Sequence, residues 1–137
     1  MEKVADNASR LPTAADVLRR LSAESLPDFL EPLTDVNQVG GCGNRPIHVL
    51  SYWGNTDDVA ALAEAGADVN AVGDMGNTPL HEAVEQGYIE TAKFLLAHGA
   101  TSSNVKNEFG QTPTDIAREK GYSDILKLLE GSAESPS

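Results

Sequence analysis

Apolar residues recur at three- and four-residue spacing in short blocks along this chain, and each block is shut by a glycine. In IETAKFLLAHG the positions Thr91, Phe94 and Leu95 fall on one helical face; Val59, Leu62 and Ala63 do the same in DDVAALAEAG, and Ile125, Leu128 and Leu129 in SDILKLLEG. Each block follows a shorter one that opens on a proline: PIHVLSYWG, PLHEAVEQG and PTDIAREKG. Thr78 and Thr112 are N-cap residues by type, and Pro79 and Pro113 then take the first helical position, where a missing N–H costs nothing. Gly54, Gly87 and Gly121 stop these helices, because glycine enters the left-handed conformation of a C-terminal cap without steric penalty. The pattern predicts pairs of short helices, none long enough to be stable alone. Polar connectors, ADVNAVGDMG and ATSSNVKNEFG, separate the pairs and suit extended turns.

The pairs repeat. Pro46 and Pro79, His48 and His81, Gly54 and Gly87, and Gly66 and Gly99 stand 33 residues apart, whereas Gly87 and Gly121 stand 34 apart. The extra residue belongs to the connection 101–108, since the offset changes only after Gly99. The TPLH of Thr78 to His81, the GADVNA that follows a helix from Gly66, and the 33-residue period resemble the ankyrin repeat family over residues 43 to 129. The resemblance implies an all-α solenoid of stacked helix–turn–helix units joined by β-hairpin loops, with a concave face lined by the loops and the first helices.

On this register the chain divides into an N-terminal tail (1–12), a degenerate N-terminal capping repeat (13–42), two repeats (43–75 and 76–109), a C-terminal capping repeat (110–130) and a disordered tail (131–137). The N-terminal cap rests on Asp35-Val36-Asn37, 33 residues before Asp68-Val69-Asn70, and on AADVLRRL (14–21) and LPDFLEPL (26–33), read as two short helices. A different helical adaptor is the alternative there. A cap is expected because the first full repeat otherwise leaves an apolar face in water. Thr114 and Asp115 stand where the second repeat has Leu and His, a polar replacement that suits a terminal repeat.

Composition narrows the function classes. The 137 residues are 40% hydrophobic and only 5% aromatic, one small soluble domain. A net charge of −11 disfavours nucleic acid and anionic lipid and steers basic proteins towards the chain. Cys42, the single cysteine, allows no intramolecular disulfide and no multi-cysteine zinc site, so a reducing compartment is expected. With no apolar run near the ~18 residues of a membrane helix, the expectation is a cytoplasmic chain, monomeric when free.

HEAVE, residues 81 to 85, places His81 and Glu85 four apart on one helical face with Glu82 between them, the look of a zinc-peptidase helix. Such a site needs a third ligand. His48 lies one repeat away and carries Val49 and Tyr52 where the second repeat has Glu82 and Glu85. The favoured reading is that His48 and His81 bind backbone in the adjacent loop, as the family resemblance implies. Cys42, in GGCGN, has no basic neighbour before it to activate a nucleophile, and no phosphate loop is present. No enzyme activity, metal or cofactor is expected.

The resemblance instead implies a protein-binding surface. In the ankyrin pattern the outward residues flank the glycine that opens each repeat and precede the glycine that ends its first helix. Carried onto this sequence, the partner-binding set is Tyr52, Trp53, Asp74, Met75, Asn77, Glu85, Gln86, Glu108, Phe109 and Glu119. Pro46, His48, Gly54, Pro79, His81, Gly87 and Gly121 are the structural set. Large apolar anchors inside an acidic rim suit capture of a basic protein. Resemblance to small bacterial ankyrin proteins found beside toxins implies an inhibitor or immunity protein; a regulatory scaffold or adaptor is the alternative, and a metal-dependent hydrolase the least favoured.

Overall fold

The computed structural model describes residues 12–24, 26, 29, 31–101 and 105–134. Seven α-helices appear among them: α1 (Ala14–Ala23), α2 (Pro46–Trp53), α3 (Thr56–Glu64), α4 (Pro79–Gln86), α5 (Ile89–Ala97), α6 (Pro113–Lys120) and α7 (Ser123–Glu134). The helices form two layers. First helices stack α2 on α4 on α6, and second helices stack α1 on α3 on α5 on α7, each first helix also packing on the second helix that follows it. The core runs between the layers: Ile47, Leu50, Leu80, Val84 and Ile116 from the first, Val59, Leu62, Ala92, Leu95 and Leu129 from the second, all buried.

Local chemistry sets the helix ends where the sequence places them. The Thr78 and Thr112 hydroxyls accept N–H bonds from His81 and Asp115, and a proline opens each of α2, α4 and α6. Gly54, Gly87 and Gly121 close those helices at φ 76°, 81° and 73°, the left-handed region where a side chain costs roughly 1–2 kcal/mol. At Gly54 a second demand is added: a Cβ there would lie 2.7 Å from the ring of Tyr88, which packs across from the next repeat.

Asparagine stitches the second-helix side. Asn37 donates to the carbonyl of Gly66 (3.1 Å) and accepts from the Asp68 N–H (2.9 Å); Asn70 does the same one repeat on, with Gly99 (3.0 Å) and Thr101 (3.2 Å). These bonds satisfy carbonyls left over at the ends of α3 and α5. They also give Asp35-Val36-Asn37 and Asp68-Val69-Asn70 one structural role.

Three expectations are corrected. The segment 26–33 is not a second N-terminal helix: of its described residues, Leu26, Phe29 and 31–33, none is helical. Leu26 and Glu31 each precede a proline, which biases them to extended backbone. The single helix α1 lies in the second-helix layer, on α3, while Leu26 and Phe29 pack against the core and Leu33 is buried. The tail 131–137 is not wholly disordered, because α7 runs through Gly131 to Glu134; one glycine within a helix costs about 1 kcal/mol without ending it, and 135–137 lie outside the described residues. The proposed tail 1–12 lies outside them too, except Pro12.

The third correction concerns the loops. No strand occurs among the described residues; each loop is a tip closed by two bonds in place of a β-hairpin ladder. Gly40, Gly73 and Asn107 donate to the carbonyls of Asn44, Asn77 and Gln111, and Gly43, Gly76 and Gly110 donate back to Gly40, Gly73 and Asn107. Tips this short offer too few paired residues to make a ladder. Their spacing reproduces the step from a 33- to a 34-residue offset.

Candidate functional site

Each histidine of the repeat joins one tip to the next. The Nδ1 of His48 accepts the Arg45 N–H (2.9 Å) and its Nε2 meets the carbonyl of Ala71 (2.9 Å). In the second repeat Nδ1 of His81 accepts the Thr78 N–H (3.0 Å) and Nε2 reaches the carbonyl of Gln111 (2.9 Å). An acceptor at Nδ1 and a carbonyl at Nε2 fix the neutral Nε2–H tautomer. Burial, the largest influence, pushes both imidazoles below their ordinary range. With both nitrogens engaged, His81 has no lone pair for a metal, and among the described residues no three His, Cys, Asp or Glu side chains cluster as ligands would.

Asp115 stands where a third histidine would. Its Oδ2 accepts the Thr112 N–H (3.0 Å), which retains the capping half of the histidine's work and omits the half that reaches forward.

The tips are tied side to side as well. The Asp74 N–H binds Asn44 Oδ1 (2.9 Å), Asn107 Nδ2 binds Asn77 Oδ1 (3.0 Å), and the Glu108 N–H binds the carbonyl of Met75 (2.9 Å). Met75 sits at the crest of its tip, inside the short 3₁₀ turn Asp74–Gly76, with φ 59° and ψ 21°. It is the one non-glycine residue in that region among those described.

Between α2, α4 and the tips lies an open cleft of about 500 Å³. Five of the sequence-predicted contact residues line it: Tyr52 and Trp53 from the end of α2, Asp74 and Met75 from the tip, and Asn77. Tyr52 is 48% exposed, Trp53 39% and Met75 50%, so these side chains face water across the cleft instead of completing the core. The other five lie outside it. Glu85 pairs with Lys120 at 3.2 Å, linking the ends of α4 and α6, and Glu119 takes a bond from Gln111. Gln86 is exposed, and Glu108 and Phe109 occupy the third tip, where the ring is 68% exposed.

The cleft also contains residues the sequence reading left out: Glu82, Val49 and Leu26. Val49 and Glu82 could have been found by counting one helical turn back from Tyr52-Trp53 and from Glu85-Gln86, since i and i+3 share a face. Leu26 had no such signal, because its segment follows no repeat. Glu82 is the most perturbed acid of the site. Burial, then the carboxylates of Glu85 and Asp74, push its carboxyl up to about 7, against a smaller opposing effect of a bond from Asn77. Asn77 is held for that bond, since its Oδ1 is taken by Asn107 and its amide is left to face Glu82.

A family model described as ankyrin repeats matches the chain in three copies, over residues 14–107 and 76–135. No curated protein matches the sequence. No helix among the described residues is long and apolar enough to cross a membrane.

Proposed function

The chain belongs to the ankyrin repeat family, and from that premise we propose that it is a non-enzymatic module that captures a basic partner protein on its tip-and-first-helix face. The observation that carries this reading is the cleft: the only tryptophan, a tyrosine and a methionine stand half exposed around it, in a chain poor in large side chains. Exposed rings gathered in one concavity are costly unless a partner covers them. The acidic groups in the same lining, Asp74 and Glu82, favour a cationic partner and disfavour nucleic acid.

An inhibitory role, as immunity protein to a basic toxin in the cytoplasm, fits the small size and the −11 charge; a regulatory scaffold is the second reading. The chain is read as a monomer when free. The test is affinity capture from the source cells with the wild type and with Tyr52→Ala/Trp53→Ala. A basic protein retained by the first, released by salt and lost from the second, with the helical signal of the variant intact, supports the proposal. Equal capture by both would refute the placement of the face. Assaying the captured protein with and without this chain then separates inhibitor from scaffold.

A further inference from the structure

The cleft combines two kinds of surface. Tyr52, Trp53 and Val49 on α2 and Met75 on the tip supply rings and hydrocarbon; Glu82 on α4 and Asp74 on the tip supply carboxylates. Among the described residues no lysine or arginine forms an ion pair with Glu82 or Asp74, whereas Glu85 is already paired with Lys120. His48, the one basic side chain in the lining among the described residues, has both nitrogens committed to backbone.

We propose that this cleft is the seat for one cationic side chain, an arginine or a lysine, of the protein partner, its stem against Tyr52, Trp53 and Met75 and its charge on Glu82 and Asp74. The inference rests on the protein-binding reading above and names the chemistry of its anchor. Alternatives fit the same walls less well. An apolar side chain would cover Glu82 and leave it desolvated without a partner, and an acid would meet two carboxylates. A long cationic side chain satisfies both surfaces, since its methylenes lie on apolar walls while the head stays with the acids, and a ring face adds attraction for the cation. Burial and the crowding of Glu85 and Asp74 make an unpaired negative charge on Glu82 costly, and an arriving cation removes that cost. Met75, held in the left-handed region, is a further sign that the tip is shaped for contact: glycine would relax the turn but would present no side chain.

Trp53, the only tryptophan, lines the cleft, so its fluorescence reports occupancy. The full chain is titrated at constant ionic strength with N-acetyl-arginine methylamide, N-acetyl-lysine methylamide and, as neutral isostere, N-acetyl-citrulline methylamide. A saturable change is expected with the two cations, at least about tenfold weaker with citrulline, and weakened at least about tenfold in Glu82→Gln with an unchanged helical signal. Asp74→Asn carries the same expectation should Glu82→Gln not fold. Citrulline equal to arginine, no saturable response to arginine, or undiminished binding by the charge-neutral variants overturns the seat. If the seat falls while capture of the whole partner still depends on Tyr52 and Trp53, the broader protein-binding reading stands; if capture ignores those rings, the broader reading fails on its own.

Discussion

The Nε2–H of His81 donates to the carbonyl of Gln111 across 2.9 Å, binding the second repeat to the opening of the third from a fully buried ring. Because Nδ1 of the same ring caps α4 at Thr78, one side chain secures both a helix start and a repeat interface. His81→Ala removes both bonds and leaves a cavity, so a loss of about 3 kcal/mol is expected in urea unfolding. Repeats stabilise one another through their interfaces, so the loss should fall on the whole transition.

Acid should weaken the fold through the same rings. Burial lowers His48 and His81 below the 6.5 of an unfolded imidazole. Below that pH the unfolded chain takes up protons that the folded chain refuses, so stability is full above 6.5 and declines as pH falls beneath it. The stability gap between the wild type and His81→Ala, measured by urea unfolding at each pH from about pH 8 to about pH 5, should shrink as pH falls, a comparison in which the other titrating groups cancel.

Glu82 works in the opposite sense. Its carboxyl is raised from 4.5 to about 7 in the fold, so its favourable, protonated state is fully present below 4.5 and is lost as pH rises through 7. Ionised Glu82 then costs on the order of 2 kcal/mol, taking ~1.4 kcal/mol per unit and allowing for its partial exposure. Glu82→Gln should therefore raise stability by about that much at pH 8 and by much less near pH 5. Comparison with the wild type at each pH cancels the histidine contribution.

Gly54 and Gly121 form an internal control. Their φ angles are nearly the same, 76° and 73°, yet a Cβ would meet the Tyr88 ring at 2.7 Å in the first case and nothing within 4 Å in the second. Gly121→Ala should cost about 1–2 kcal/mol for backbone conformation alone, and Gly54→Ala about 1–3 kcal/mol more. Equal thermal shifts in the two variants would contradict the packing of Tyr88. Gly87→Val, at φ 81° and beside Tyr122, should be severe, whereas Pro79→Ala at the first position of α4 should be mild.

Met75 should show stability and function pulling apart. Met75→Gly relieves a left-handed backbone at φ 59° and should stabilise the chain by up to about 1 kcal/mol. The same change removes apolar contact from the cleft, so capture of the partner should weaken. A variant that melts higher and binds as well as the wild type would show that the side chain does not touch the partner.

Much of this arrangement is legible in the sequence because its signals are local. Thr78, Pro79 and Gly87 each act on their own backbone, so the limits of α4 follow from residue type alone. What escapes is decided by neighbours. Glu82 reads as a partner of His81 in a linear motif, yet it turns away from that ring into a cleft whose walls come from α2 and another tip. Leu26 lies in a segment without a repeat partner, and its place against the core and in the cleft lining is set by tertiary packing alone. Asp115 reads simply as a polar substitution; that it keeps one of the histidine's two bonds emerges only when both are seen.

Asp115 also bears on how such an array could grow or shrink. Its carboxylate has nothing to donate toward a following tip, so the relay of ring to carbonyl ends at this side chain. Lengthening the protein would then begin with restoring Leu and His at 114 and 115, ahead of any appended unit. Conversely, an Asp placed at 81 would keep the bond to the Thr78 N–H and lose the one to the Gln111 carbonyl. A histidine at 115 would supply the missing donor, which makes this position the first to change when longer stacks are built on this chain.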